Sequence, residues 1–440
     1  MKYIYLKTNH ELINHSRLRY VIEFINQHPL WPDEFMITMD GIVSEYHLCI
    51  EYLSKRTDDK NYHIPLSGKL FTAGKRLNTS SLHSGQYHYN EFTLFSVEEN
   101  RMNEAFLIEN TFGFDLLETI FFHVSRYEEY YLNGDDCDFR GMLEEQKHFL
   151  VRENLEQIPV VDHIVYCFAH SLGLSPSKLK SKKSMSHDID HIKKYGSFSK
   201  FLRLQGGVVK RLNWSKLFVQ ARQYFTNTNP YNTFEELLIS DDMSKYIFYL
   251  MGGISKYDVV ADVRDEVFLN SILLAKKNGY QIGIHPGFDS TYSVDQICEE
   301  KKRLEKVIGE DILISRNHFL RFLFPATLEN LESAGITMDH SLGYRSRIGF
   351  RCGTGFPYRI YNVDREMITD IKVHPLIIMD QCLISTAISS HQDIEVIHDK
   401  FVGKNEYLTM ISYNFHNSIF DFAEMRGFEL KTLYQKIKHS

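Results

Sequence analysis

The chain lacks cysteine pairs at any functional spacing. Its six cysteines (Cys49, Cys137, Cys167, Cys298, Cys352 and Cys382) are scattered without a Cys-x-x-Cys, so neither a zinc knuckle nor a disulfide framework is expected. No apolar run approaches the ~20 residues that a bilayer-spanning helix needs. Positive charge is not in excess either. Lys and Arg number 50 against 57 Asp and Glu, a formal net charge of −7, which argues against nucleic acid as a partner. The opening "MKYIYLKTNHELINHSRLRY" has no basic head followed by an apolar core, so no secretory signal is expected. Internal repeats and low-complexity tracts are also missing. These absences predict a reduced, cytoplasmic, globular protein.

What is present is length and aromatic bulk. A chain of 440 residues, 43% hydrophobic with 31 Phe and 26 Tyr, suits two domains that each bury a core. The composition breaks at "SPSKLKSKKSMS", residues 175–186, which reads as a junction between residues 1–180 and 181–440. Ahead of it, "FGFDLLETIFFHVSRYEEYYLNGDD" has helical spacing and a turn at its end. Beyond it, apolar runs and amphipathic helices alternate. "KYIFYLMGG" (245–253), "QIGIH" (281–285), "HFLRFLFP" (318–325), "PLIIMD" (375–380) and "YLTMISYNFHN" (407–417) read as strands. "DEVFLNSILLAKKNGY" (265–280), "VDQICEEKKRLEKVIG" (294–309) and "ATLENLESAG" (326–335) read as helices. This alternation predicts an α/β domain with parallel strands, as a barrel or an open sheet.

Ionisable residues recur where predicted strands end. Asp188 and Asp190 of "SHDIDH", His285, Asp380 and His416 all sit at such ends. In parallel α/β folds those ends share one face, and that face carries the chemistry. In "HPGFDS", His285 and Asp289 are four apart across a Pro-Gly turn. With Asp190 they would offer two carboxylates and an imidazole and leave positions open for water and substrate, the pattern of a catalytic divalent ion. Zinc leads, with Fe, Co or Mn as alternatives.

The order of these motifs resembles the polysaccharide deacetylase family, also called the NodB-homology or carbohydrate esterase family 4 domain. "MSHDIDH" is similar to its first motif, "HPGFD" to its second, "LRFLFP" to its arginine-proline strand end and "YNFHN" to its last. "SLGYRSRIGFRCGTGFPY", "HPLIIMDQCL" and "SRYEEY" (125–130) resemble a bacterial subgroup with an N-terminal companion domain. The resemblance implies a distorted (β/α) barrel over 181–440, preceded by a smaller α+β domain. It implies removal of an acetyl group, N-acetyl before O-acetyl, from a sugar of a surface polysaccharide or its precursor. In that scheme Asp188 is the base and Asp190, His285 and Asp289 hold the metal. Arg321, or Arg316 in its place, keeps Asp188 ionised, and His416 is the acid. A backbone N–H after Pro325 meets the oxyanion, and Arg351, Tyr344 and Asp380 stand near the substrate.

Plainer readings stand beside these. Asp289 before Ser is an ordinary helix cap. His416 is also readable as a core histidine, Asp380 as orienting a catalytic histidine or simply ending its strand, and Arg351 as a brace of its glycine-rich loop. His187, His191, His318 and His340 read as supporting residues, and "SRYEEY" as a charged helix face at the domain interface. The stretch 193–222, with Lys200, Arg203, Lys210, Arg211, Lys216 and Arg222, reads as a solvated helix or as a peripheral membrane contact. Two rival functions remain. One is a glycosyltransferase using Asp188-x-Asp190 for a nucleotide-sugar metal. The other is a non-catalytic carbohydrate-binding relative.

Overall fold

The computed structural model describes residues 1–439 except 10–14, 40–44, 72–76, 101, 196–200, 203–213, 227, 239–242 and the side chains of 214–216. The side chains of Lys200, Arg203, Lys210, Arg211 and Lys216, invoked above for a membrane contact, lie outside the described residues. Among the described residues no helix is long and apolar enough to cross a membrane.

The N-terminal strands are β1 (Lys2–Thr8), β2 (Phe35–Thr38), β3 (Leu48–Leu53), β4 (Tyr62–Pro65), β5 (His83–Tyr89), β6 (Phe92–Glu98), β7 (Asn103–Ala105), β8 (Leu107–Ile108) and β9 (Thr111–Phe112). They form a six-stranded sheet, β2-β1-β3-β4-β9-β8, and a three-stranded one, β6-β5-β7. The C-terminal strands are β10 (Lys182–Ile189), β11 (Ser244–Tyr249), β12 (Gln281–Ile284), β13 (Ile314–Ser315), β14 (Met338–Asp339), β15 (Tyr358–Asn362), β16 (Met367–Val373), β17 (Ile378–Met379) and β18 (Met410–His416). They make one nine-stranded sheet in the order β15-β16-β14-β13-β12-β11-β10-β18-β17, parallel except for β15–β16. The molecule is thus a mixed α/β protein. β10 sits centrally and is buried from Ser184 to Ile189, as a parallel strand covered on both faces must be.

Where a distorted barrel is expected, the strand ladder among the described residues does not close on itself. β16 and β17 sit near opposite ends of the sheet, yet only His374–Ile377 join them. At ~3.6 Å per residue that tether spans less than about 18 Å, so the sheet must curl until its ends approach. The gap is filled by the tether itself. Leu376 N donates to Leu342 O at 3.0 Å on one side, and Ile377 N donates to Ser412 Oγ at 3.0 Å on the other.

Local signals set the helices around this sheet. Asp265 caps Glu266–Lys277, accepting from Val267 N. Ser293 caps Val294–Ile308, which stops at Gly309 in the left-handed region. Two expectations fail. "HFLRFLFP" is not a strand. The sheet strand is the two-residue β13 just before it, and the apolar run turns away through Phe319 and Leu320, both at positive φ. "PLIIMD" contributes only Ile378–Met379 to the sheet, and Asp380 opens the helix Asp380–Ser390. The junction is also shorter than expected, because β10 starts at Lys182.

The two halves share one hydrophobic core and a buried ionic cluster. "SRYEEY" is not a charged helix face. Its helix ends at Val124, and Arg126 turns in the left-handed region. Arg126 donates to Glu129 Oε1 at 2.8 Å, to Glu128 Oε1 at 3.0 Å and to Arg351 O. Arg351 is a buried brace of its loop and is not among the residues that line the cavity described next. It donates to both oxygens of Glu129 and to Gly343 O. The glycine-rich loop carries it inward because the backbone there touches the N-terminal half. Gly349 has φ +151°, and a Cβ on it would lie 2.3 Å from Glu156 O. Tyr344 is also buried, with its ring 5.6 Å from His148, and stands away from the cavity described next.

Candidate metal centre

The carboxyl ends of β10, β12, β13 and β18 meet at one cavity of roughly 210 Å³. Asp188, Asp190, Tyr257, His285, His318, Phe319, Arg345 and His416 are among the residues that line it. Asp190 follows β10 directly, His285 follows β12, and His318 lies three residues past β13. Each is therefore delivered by a strand end rather than by a free loop. Asp190 Oδ1 lies 3.3 Å from His285 Nε2, and Asp190 Oδ2 lies 3.9 Å from His318 Nε2. Donor atoms from these three residues all fall within 4.8 Å of one another. Tetrahedral ligands on zinc stand roughly 3.3 Å apart, so the cluster is near that spacing.

The third residue of the converging cluster is thus His318, not Asp289. Asp289 is 43% exposed at its side chain and turns to Arg321, whose Nη1 donates to it at 2.9 Å. Arg321 is correspondingly removed from Asp188. It lies between the rings of Phe288 and Tyr292 and donates to Arg140 O. Both corrections have one cause. The strand ends at Ser315, so Arg316 and His318 occupy the positions that a strand over 318–325 would have given to Arg321 and Pro325. Pro325 instead precedes the helix Ala326–Ser333 and does not line the cavity.

Second contacts orient every imidazole. His285 Nδ1 donates to Arg316 O at 2.6 Å, which leaves Nε2 as the free lone pair in the neutral ring. His318 Nδ1 meets Asp258 Oδ1 at 2.9 Å, again turning Nε2 inward. Asp190 Oδ1 is buried with no hydrogen-bond donor among the described residues. Burial opposes charge on Asp190, yet the close approach of His285 Nε2 and the nearby His318 and His416 hold its carboxyl well below the usual range.

Beside these stand a carboxylate and a third histidine. Asp188 Oδ1 accepts from Arg316 Nη1 at 2.9 Å and Oδ2 from Asn414 Nδ2 at 2.7 Å. Burial raises its pKa, but the Arg316 guanidinium overrides this and keeps the carboxyl low. Arg316 is itself braced by His340 O and by the Phe248 ring 4.6 Å away. His416 Nδ1 faces Asp380 Oδ1 at 3.0 Å, and its Nε2 lies 3.8 Å from Asp188 Oδ2. Burial disfavours its charge, but Asp380, Asp190 and Asp188 together push its pKa up to about 10. Asp380 thus touches the histidine rather than the cavity's contents. Phe319 and Leu320, consecutive left-handed residues on the cavity wall, are held partly by Arg140, which donates to Phe319 O. Strain of this kind persists where surrounding contacts over-determine it, and it clusters at functional sites.

Among the comparisons with known proteins, residues 6–175 match a family of unknown function, DUF7033. That span covers well under half of the chain and ends before β10. No curated protein matches the chain.

Proposed function

We propose that the chain is a metal-dependent hydrolase that removes an acetyl group, N-acetyl before O-acetyl, from a sugar of a bacterial surface polysaccharide or its precursor. One observation carries the reading. Asp190, His285 and His318 aim donor atoms into one cavity that also holds an arginine-bound carboxylate and a carboxylate-bound histidine. A divalent ion suits the three donors. Asp190 Oδ1 is buried without a donor, and both imidazoles have their outer nitrogens already committed. One carboxylate and two imidazoles suit zinc, and also Fe, Co or Mn.

An ion held there supplies Lewis acidity toward water and a carbonyl oxygen. The side chains do the rest. Asp188, kept ionised by Arg316 and oriented by Asn414, accepts the proton of the attacking water. His416, charged at neutral pH and fixed by Asp380, donates a proton to the departing nitrogen. An amine leaves poorly as an anion, so an acid is required for an amide. A nucleotide-sugar transferase would ask Asp188 to share a metal with Asp190. The donor atoms that converge with Asp190 come from His285 and His318, and Asp188 turns instead to Arg316 and Asn414, which disfavours that reading.

The test is metal content of the full chain, measured by mass spectrometry, together with acetate release from N- and O-acetylated amino sugars. Acetate release that a chelator abolishes and zinc or cobalt restores supports the proposal. A stoichiometric metal without acetate release would leave a binding protein in its place.

A further inference from the structure

Asp138–Met142 belongs to the N-terminal half and carries Phe139 to the mouth of the metal-site cavity. Its tip is firmly held. Gly141 N donates to Asp138 O at 2.9 Å, which closes a four-residue turn around Phe139, and Gly141 takes φ +77°. Arg140, buried, donates to Asp138 Oδ2 at 2.7 Å and to Phe319 O at 3.0 Å. Arg321 Nε donates back to Arg140 O at 2.8 Å. Phe139 nevertheless remains 57% exposed. A large ring fixed in water forgoes the gain of burial unless something covers it.

Its neighbours indicate what covers it. Phe319 meets the ring edge-on at 6.1 Å, Phe288 lies nearly parallel at 6.2 Å, and Tyr257 stands at 6.4 Å. The Arg345 guanidinium lies 5.5 Å from the Phe139 centroid and 5.3 Å from that of Phe319. Tyr257, Phe319 and Arg345 also line the cavity with Asp190, His285 and His416. The exposed ring is therefore continuous with the wall of the metal site. A flat apolar face rimmed by hydrogen-bonding groups matches a pyranose, which offers C–H bonds on its face and hydroxyls at its edge.

We infer that Phe139, with Tyr257 and Phe319, forms a second sugar subsite beside the metal centre, so that the substrate is an oligosaccharide and the N-terminal half supplies part of its binding surface. This rests on the carbohydrate reading above, and the experiment separates the two. N-acetylglucosamine and N-acetylgalactosamine are supplied as monomers and as tetramers to the wild type, Phe139→Ala and Phe139→Trp. Acetate release gives kcat/KM, and calorimetry gives tetramer affinity independently of turnover. The expected result is a tetramer-over-monomer kcat/KM ratio that falls by about tenfold in Phe139→Ala, the scale of removing one aromatic contact from a binding surface. Phe139→Trp retains the ratio, because its larger ring still offers a face. Tetramer affinity falls in parallel. Acetate release with a ratio indifferent to Phe139→Ala overturns the subsite while leaving the hydrolase reading intact. Tetramer binding that depends on Phe139 without any acetate release upholds the subsite and removes the reaction. A tetramer that does not bind the wild type overturns the subsite.

Discussion

The chain buries two ionic clusters made of the same ingredients, and only one of them is organised for chemistry. At the interface of the halves, Arg126 and Arg351 meet Glu128, Glu129 and His148. At the sheet's carboxyl edge, Arg316 meets Asp188, with Asp190, Asp380 and three histidines around it. Charge and burial do not distinguish them. In the interface cluster every guanidinium nitrogen of Arg126 and Arg351 has a partner on a carboxylate, a carbonyl or His148, and Glu128 also accepts from Phe149 N. In the other, Asp190 Oδ1 has no donor among the described residues, and the Nε2 atoms of His285 and His318 face a cavity. A satisfied buried network specifies and braces a fold. A buried network with donor atoms left over, all aimed at one point, is suited to hold something.

The sharpest way to break this comparison is to remove ligands. Asp190→Ala and His318→Ala should each lose metal and turnover together. Asp188→Asn should keep metal near the wild-type level while activity falls on the order of 10²–10⁴-fold, the scale of general acid–base catalysis. Equal metal loss in Asp188→Asn would show Asp188 to be a ligand, and the distinction between the two aspartates would vanish.

The interface cluster predicts the opposite phenotype. Arg351→Met leaves Glu129 buried with one guanidinium fewer, and breaking a buried pair costs about 3–5 kcal/mol. Denaturant midpoints should drop accordingly, while turnover per folded, metal-loaded molecule stays near wild type. If activity collapses at unchanged stability, Arg351 touches the substrate after all.

pH should separate the clusters next. Burial opposes charge on Glu128, but the hydrogen bond with His148 and the Arg126 charge hold it at about 2, below its ordinary 4.5. Its contribution is full above 4.5 and lost as pH falls from there toward 2. His416 lies on the other side, with a folded value of about 10 against an ordinary 6.5. Its contribution is full below 6.5 and lost as pH rises toward 10. Resistance of the metal-free protein to unfolding should therefore weaken at both extremes. His416→Asn should flatten the alkaline limb, and Glu128→Gln should flatten the acid limb while leaving the alkaline one unchanged. An alkaline limb that persists in His416→Asn, or is lost in Glu128→Gln, would contradict the assignment.

Where the strands ended decided what the sequence could reveal. β11, β12 and β18 are long enough that apolar patterning located their ends, and the Asp-x-Asp of "SHDIDH" marked the end of β10, so Asp188, Asp190, His285 and His416 were visible as a set. β13 is two residues long and leaves almost no pattern. The louder apolar run after it, "HFLRFLFP", drew the strand to the wrong place, and His318 was read as a supporting residue. The available signal was "ISRNH": a short β-branched start followed by an arginine and a histidine at alternate positions. The aromatic arm at Phe139 had no local signal, because its meaning depends on residues about 120–200 positions later in the chain.

The smallest expected effect tests the correction most directly. Asp289 sits four residues after His285 and would be the third ligand by spacing alone, yet it pairs with Arg321 at a half-exposed position. An exposed ion pair of this kind is worth about 0–1 kcal/mol. Asp289→Ala should therefore shift stability by no more than that and leave metal stoichiometry at the wild-type value, while His318→Ala empties the site. Because Arg321 also donates to Phe288 O and Arg140 O, losing Asp289 should not release it to wander toward Asp188. Metal titration of the two variants side by side decides the matter. If Asp289→Ala binds metal as poorly as His318→Ala, the loop rearranges on metal binding and spacing in the sequence was the better guide than the geometry.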